Sequence, residues 1–175
     1  MREGSLTMLT QRKLSNVLGS AIEGIDLSRE LADAEFCVLA RALWEGGVLA
    51  IKGQRLAPGQ FLAFARRFGR PEPHVINQFH YPGYPDILIL SNRRNNGEPI
   101  GLADAGSYFH TDYSYLKVPA RLTMLYSIEV PSRGGDTLFA NMSAAYDDLA
   151  ESMKRRIDHL VVLHDELLPL LIADR

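Results

Sequence analysis

The stretch LTMLYSIEVPSRGGDTLF at residues 122–139 has the pattern of two short strands joined by a tight turn. Residues 122–130 and 137–139 are rich in side chains that favour strands, whereas Gly134 and Gly135 between them favour a turn. Short strands with tight turns, preceded by helices, indicate a mainly β domain with flanking helices. The predicted fold class is therefore α+β, built on a β-sandwich or jelly roll.

Amphipathic helices and further strands surround this stretch. Asp33 to Trp44 carries apolar residues at helical spacing until Gly46-Gly47 ends the pattern. Pro58 suits the first turn of a second helix, for which Gly69 is the predicted C-terminal cap. The other predicted elements are strands at 48–51, 87–90 and 160–163, a long loop at 92–107, and one helix that begins at Ser143 and carries Tyr146, Leu149, Met153 and Ile157.

Length and composition bound the class of protein. The chain has 175 residues, one Cys and a formal net charge of −2. This length predicts one domain over residues 1–175. A single Cys excludes a disulfide framework or a thiolate zinc site, and the near-neutral charge argues against a nucleic-acid partner. No apolar run of membrane-spanning length or secretory leader is visible, so we expect no membrane partner and a cytoplasmic location.

The sharpest chemical feature is His110-Thr111-Asp112. On an extended segment, residues i and i+2 point to the same side, so the imidazole and the carboxylate would converge on one point. A nitrogen and an oxygen ligand together suit a borderline divalent ion such as Fe(II), with other coordination positions left open. The alternative is a surface His beside a solvated Asp, because a His-x-Asp spacing often arises by chance.

A second candidate is Thr137, which follows Gly134-Gly135-Asp136 at the start of the second strand. Its hydroxyl could donate a hydrogen bond to a carboxylate. The alternative is a simple hairpin turn followed by a Thr that favours strand structure.

Several ordered motifs together resemble the taurine/2,4-dichlorophenoxyacetate dioxygenase family (TauD/TfdA), whose members are Fe(II)- and 2-oxoglutarate-dependent dioxygenases. The matching stretches are GGVLAIKGQRLAPGQFLAFARRFG at 46–69, FHTD at 109–112, VPSRGGDTLFANMSAAYDDL at 130–149 and LVVLHDE at 160–166. The resemblance covers roughly residues 20–166. It implies a double-stranded β-helix, which is a jelly-roll variant, and hydroxylation of a small organic acid by O₂.

The resemblance also implies roles for individual residues. His110 and Asp112 would be two of the three metal ligands in a 2-His-1-carboxylate facial triad, and Thr137 would bind the carboxylate of 2-oxoglutarate. His74 falls where taurine-type members hold the sulfonate of the substrate, and Tyr115 falls where an aromatic side chain lines the substrate pocket.

Two positions depart from the taurine-specific pattern. Gly106 stands four residues before the first ligand in place of an Asn, and Asn77 stands three residues after His74 in place of a Tyr. Both family residues help to hold the taurine amine. We therefore expect a small anionic substrate of the sulfonate or aryloxyalkanoate type rather than taurine alone, with Asn77 at the substrate site.

The third metal ligand and the Arg that pairs with 2-oxoglutarate lie, in the family, beyond the part that this chain resembles. The resemblance thus implies a chain truncated at its C-terminus and an incomplete jelly roll. Exposed strand edges and apolar surface would then favour a homo-oligomer.

The residues leave two other functions open. One is a catalytically inactive family member that acts at most as a binding or oligomerising domain. The other is a hydrolase that holds zinc with His110, Asp112 and His164.

Overall fold

The computed structural model describes residues 9–106 and 108–164, and the backbone of Leu171–Ala173. The chain divides into two compact units, Met1–Ser107 and Tyr108–Arg175, each of which combines helices and strands. The division does not test the prediction of one domain over residues 1–175, which stays a prediction. Among the described residues, no helix is both long enough and apolar enough to cross a bilayer.

The first unit is built on a three-stranded sheet. Its strands are β1 (Thr10–Lys13), β2 (Ser20–Glu23) and β3 (Leu49–Ile51), in the order β1-β2-β3. β1 is antiparallel to β2, whereas β3 is parallel to it. A parallel pair needs a crossover connection, which is supplied here by helix α1 (Asp33–Gly46).

Helix α1 confirms the predicted helix over 33–44. The Glu35 carboxylate accepts a hydrogen bond of 2.9 Å from the Ala32 backbone N–H, which satisfies a donor at the first turn. At the other end, the Gly47 N–H donates to the Leu43 carbonyl at 2.7 Å. Leu39 is fully buried, with 0% of its surface exposed, because it faces the centre of the unit's core.

Helix α2 (Pro58–Arg66) also confirms its prediction, with Pro58 in the first turn. Leu62 and Phe64 are its buried side chains. The predicted cap at Gly69 is wrong, because the helix ends at Arg66. Arg67 follows, and its guanidinium donates to the Leu31 carbonyl at 2.8 Å.

A 3₁₀ helix (Asn77–Phe79) and two short hairpins complete the first unit. Strand β4 (His80–Tyr81) pairs with β5 (Tyr84–Leu88), and β6 (Arg94–Asn95) pairs with β7 (Glu98–Pro99). The predicted strand at 87–90 is thus shifted towards the N-terminus, and the predicted loop at 92–107 contains a hairpin. Asn96 and Gly97 form its turn with φ of 50° and 86°, the left-handed pair that an Asn-Gly turn provides.

The second unit contains helices α3 (Met142–Asp147) and α4 (Glu151–Ile157) and the antiparallel pair β8 (Val161–Leu163) and β9 (Leu171–Ala173). β8 confirms the strand predicted at 160–163. The single helix predicted from Ser143 is wrong in two respects. Asn141, rather than Ser143, caps the start of α3 by accepting from the Ala144 N–H at 3.0 Å, and the helix breaks after Asp147.

Two side-chain hydrogen bonds span the break between α3 and α4. The Lys154 ammonium donates to the Asp147 carbonyl at 3.1 Å, so a carbonyl at the end of α3 is satisfied by a side chain instead of by a continuing helix. The Tyr146 hydroxyl also donates to Asp158 Oδ1 at 2.7 Å, which ties α3 to the end of α4. This hydrogen bond raises the pKa of the Tyr146 hydroxyl.

The predicted strands at 122–130 and 137–139 do not form a ladder in the structure. From Ala120 to Ser127 the side chains alternate between half-buried and exposed, which is the pattern of an extended segment. A strand also needs hydrogen bonds from a partner, and residues 120–140 have none of the regular ladder kind.

The sheets that the described residues do form are one of three strands and three of two strands. The jelly roll predicted from the sequence is therefore not visible in this part of the chain. Within residues 108–164, no residue is fully buried. Residues 108–164 therefore show no packed interior like the one that the first unit builds around Ile22 and Leu39.

Candidate metal centre

His110 and Asp112 converge as the sequence predicts, although their segment is not a strand. His110 Nε2 lies 3.1 Å from Asp112 Oδ1. Each of the two side chains is 42% exposed, so the pair faces solvent on one side. A nitrogen and an oxygen donor thus lie together at a point that a solute can reach.

The orientation of the His110 ring is set by its other nitrogen. Nδ1 lies 2.8 Å from the Tyr108 carbonyl oxygen. A carbonyl only accepts hydrogen bonds, so Nδ1 carries a proton, and in the neutral ring Nε2 presents its lone pair. The Tyr108 ring also packs edge-on against the imidazole, with centroids 5.6 Å apart. Such support of the distal ring nitrogen is typical of metal-binding His residues.

The second carboxylate oxygen of Asp112 has a partner that the sequence analysis missed. The Thr123 hydroxyl donates a hydrogen bond to Asp112 Oδ2. Thr123 lies eleven residues further along the chain, on the extended segment, so no short motif marks it. Asp112 therefore turns one oxygen to His110 and the other to Thr123.

The backbone bends immediately after the carboxylate. Tyr113 adopts a φ of 56°, which is a left-handed conformation that aromatic residues rarely take. The Leu116 N–H donates to the Tyr113 carbonyl at 3.0 Å and closes the turn. Asp112 therefore belongs to a turn and lies directly before its left-handed residue.

The separation of the donor atoms fits a divalent metal ion. Two ligand bonds of about 2.1 Å at a right angle place their donor atoms about 3.0 Å apart. The observed 3.1 Å between Nε2 and Oδ1 matches that spacing. In the neutral ring these two atoms are both hydrogen-bond acceptors, so a cation or a proton between them would remove their mutual repulsion. The residues present therefore fit two positions of a metal centre.

Within the described residues, no group of three His, Cys, Asp or Glu side chains comes together to hold a metal. His164 belongs to this part of the chain and does not join His110 and Asp112. The zinc hydrolase, which needs all three, therefore has no geometric support.

The other predicted residues of the second unit are Thr137 and Tyr115. Thr137 is exposed and follows Gly134 and Gly135, whose φ of 71° and 74° are left-handed conformations that glycine adopts readily. Tyr115 is half-buried, and its ring lies edge-on to that of Tyr113 with centroids 6.0 Å apart.

The predicted substrate residues His74 and Asn77 belong to the first unit. His74 is half-buried, and its Nδ1 accepts a hydrogen bond of 3.1 Å from the Ile76 N–H. In this tautomer the ring proton is on Nε2, which makes Nε2 a hydrogen-bond donor. Asn77 is exposed and begins the 3₁₀ helix.

Comparison with known proteins identifies the family. The model of the taurine catabolism dioxygenase TauD, TfdA family matches residues 10–166.

Three curated relatives show the range of activities among similar proteins. The alpha-ketoglutarate-dependent 2,4-dichlorophenoxyacetate dioxygenase of Cupriavidus pinatubonensis is 33% identical over 162 residues, covering 86% of this chain and 56% of the relative.

The second relative, pentalenolactone F synthase of Streptomyces arenae, is 33% identical over 84% of this chain and 50% of the relative. The third, the alpha-ketoglutarate-dependent sulfonate dioxygenase of Saccharomyces cerevisiae, is 31% identical over 89% of this chain and 39% of the relative. The chain thus spans about half the length of the first two relatives and less of the third.

Solved structures agree with the family match. The crystal structure of AAD-2 in complex with Mn(II) and N-oxalylglycine has a TM-score of 0.61 at 26% identity, covering 89% of this chain and 51% of that one. The crystal structure of a taurine dioxygenase from Burkholderia xenovorans has a TM-score of 0.71 at 26% identity, covering 94% of this chain and 56% of that one.

Proposed function

The chain belongs to the TauD/TfdA family, and from this premise we propose that it carries the His-Asp part of an Fe(II)- and 2-oxoglutarate-dependent dioxygenase that hydroxylates a small organic acid. The observation that carries the proposal is the 3.1 Å approach of His110 Nε2 to Asp112 Oδ1, in a chain whose family match spans both residues. The relatives that are named as dioxygenases favour this proposal over an inactive binding domain.

His110 Nε2 and Asp112 Oδ1 would hold the metal. The Tyr108 carbonyl keeps the proton of His110 on Nδ1, so that the Nε2 lone pair is directed at the metal position. When bound, ferrous iron and 2-oxoglutarate together supply the oxidising chemistry that transfers oxygen from O₂ to a C–H bond. In the family pattern the third ligand and the Arg for 2-oxoglutarate come from a distal segment, and no residue of this chain is assigned to either.

Thr137 would bind a carboxylate of 2-oxoglutarate. Thr137 is an exposed residue that only Asp136 separates from Gly134 and Gly135, so a small solute can reach it. Support for this co-substrate comes from the complex of AAD-2 with N-oxalylglycine, which is an analogue of 2-oxoglutarate.

The substrate we propose is a small organic anion of the sulfonate or aryloxyalkanoate type. The relatives include proteins named for both classes. In the first unit, the Nε2–H of His74 is a donor suited to an anionic oxygen, and Asn77 adds an exposed amide on the same short segment. In the second unit, the half-buried Tyr115 would contribute apolar contact to the substrate.

The proposal also covers the fold of the whole protein, its location and its oligomeric state. We propose a jelly-roll arrangement for the whole protein and a cytoplasmic location. We also propose a homo-oligomer, because several large apolar side chains of the second unit are exposed: Tyr108, Phe109, Leu125, Ile128, Val130, Leu138 and Phe139. Light scattering of the dilute chain tests the last point, and a stable monomer would contradict it.

A metal titration tests the proposed function. Mn(II) is added to the chain in the presence of 2-oxoglutarate, and the electron paramagnetic resonance signal of free Mn(II) reports the bound fraction. We expect saturable binding by the parent chain and none by His110→Ala. The matched control is His159→Ala, which removes a His of the same unit and should bind as the parent does. Equal binding by the parent and His110→Ala would contradict the proposal.

A further inference from the structure

We infer that Thr123 is a positioning residue for the metal centre: its hydroxyl holds Asp112 Oδ2, so that Asp112 presents Oδ1 beside His110 Nε2. The inference rests on the proposed function, since it concerns how one of the proposed ligands is held. It assigns a role to a residue outside the His-x-Asp motif. Nothing in the spacing of that motif marks Thr123.

The two carboxylate oxygens of Asp112 have different partners. Oδ1 lies 3.1 Å from His110 Nε2, at the spacing of two neighbouring metal ligands. Oδ2 accepts the hydrogen bond from Thr123 Oγ1. A carboxylate that is free to rotate would exchange these oxygens, or would turn both of them towards a cation. The hydrogen bond from Thr123 opposes both movements, because it is made to Oδ2 at the observed orientation.

The side chain of Thr123 suits this position. A hydroxyl can donate to a carboxylate, and a hydrogen bond to a charged oxygen is shorter and stronger than one between neutral groups. Thr is β-branched and therefore stiff at χ1, so its hydroxyl keeps its direction better than a longer side chain would. A metal ligand held in one orientation loses less conformational freedom when the metal binds.

Thr123 lies on the extended segment from Ala120 to Ser127. From Ala120 to Ser127 the exposed and half-buried side chains alternate, and Thr123 belongs to the exposed set together with Ser127. The hydrogen bond therefore joins this extended segment to the bend that follows Asp112. Ser127 also carries a hydroxyl at an exposed position of this segment. It is therefore a matched control for Thr123.

The experiment compares Mn(II) binding, with 2-oxoglutarate present, among variants of the 175-residue chain. We expect Thr123→Val, which keeps the shape and removes the donor, to weaken Mn(II) binding by about 10- to 100-fold. Thr123→Ser keeps the hydroxyl donor and should bind Mn(II) nearly as tightly as the parent does. Ser127→Val should bind as the parent does. Circular dichroism of the metal-free variants shows whether their folds match.

The outcomes separate the inference from the proposed function. If His110→Ala abolishes binding and Thr123→Val binds as tightly as the parent, the inference is overturned and the proposed function stands. If the parent chain itself binds no Mn(II), both fail. If Thr123→Val does not fold, Thr123→Ala against Thr123→Ser makes the same comparison, and equal affinities for those two would also overturn the inference.

Discussion

Replacing Asp112 with Asn keeps the shape of the side chain and removes its negative charge. In the metal-free structure this change is expected to be well tolerated. The Asn amide can donate to His110 Nε2, which faces Oδ1 at 3.1 Å, while its carbonyl accepts the hydrogen bond that Thr123 makes to Oδ2. Both contacts then pair a donor with an acceptor, so the free energy of unfolding without metal should change by less than about 1 kcal/mol.

Metal binding should respond very differently. A divalent cation about 2.1 Å from a unit negative charge gains about 4 kcal/mol in a medium with the dielectric constant of water. Asp112 is 42% exposed, so this figure is a lower bound on the attraction. Since about 1.4 kcal/mol corresponds to a factor of ten, and since the amide oxygen remains a neutral ligand, Asp112→Asn should weaken Mn(II) binding by about 10²- to 10³-fold.

The assay for Asp112→Asn combines two measurements on the same preparation. Thermal unfolding without metal reports stability, and titration with Mn(II) in the presence of 2-oxoglutarate reports affinity. The matched control is Asp136→Asn, which removes an equal charge from the same unit. The reasoning is refuted if Asp112→Asn binds Mn(II) as tightly as the control does, because the carboxylate would then not be a ligand.

Three further substitutions test the co-substrate site, the packing of the core and the ion pair between Arg29 and Glu35. Thr137→Ala should raise the concentration of 2-oxoglutarate needed for half-saturation and leave Mn(II) binding without 2-oxoglutarate unchanged; an unchanged requirement would remove Thr137 from the co-substrate site. Leu39→Ala, at a position with 0% exposure, should lower the free energy of unfolding by about 2–5 kcal/mol, measured by urea titration; a loss below about 1 kcal/mol would show that the core relaxes around the cavity. The hydrogen bond from Arg29 lowers the pKa of Glu35, so the ion pair stabilises the fold above the usual glutamate pKa and is lost as the pH falls through the lowered value. Glu35→Gln should therefore destabilise the chain at neutral pH, and this difference should shrink in acid; a difference that is constant with pH would contradict the pairing.

The sequence predicted local features well where one segment determines the outcome. The apolar spacing between Asp33 and Trp44 gave the position of α1, because Leu39 and its neighbours need a single buried face. The predicted convergence of His110 and Asp112 is also observed, although Asp112 lies in a turn and not on a strand.

The sequence failed where a distant partner decides the structure. The stretch at 122–139 has strand-forming residues, but a ladder needs a neighbouring strand, and the described residues supply none there. The hydrogen bond from Thr123 to Asp112 joins residues eleven positions apart, which no motif encodes. Likewise, apolar spacing alone does not show that the helix would end at Asp147, where Lys154 donates to the free carbonyl.

Asn96-Gly97 is a different kind of failure. The signal was present in the sequence, since Asn and Gly both tolerate positive φ and together favour a two-residue hairpin turn. The prediction of a loop over residues 92–107 did not use this turn signal. The hairpin between β6 and β7 could therefore have been predicted from turn chemistry alone.

The central claim is that His110 and Asp112 hold one metal ion between them. A crystal of the chain grown with Mn(II) and 2-oxoglutarate, with data collected for the anomalous signal of manganese, tests this most directly. We predict one peak at bonding distance, about 2.1–2.3 Å, from both His110 Nε2 and Asp112 Oδ1. A manganese peak elsewhere, with the two side chains turned away from each other, would contradict the claim.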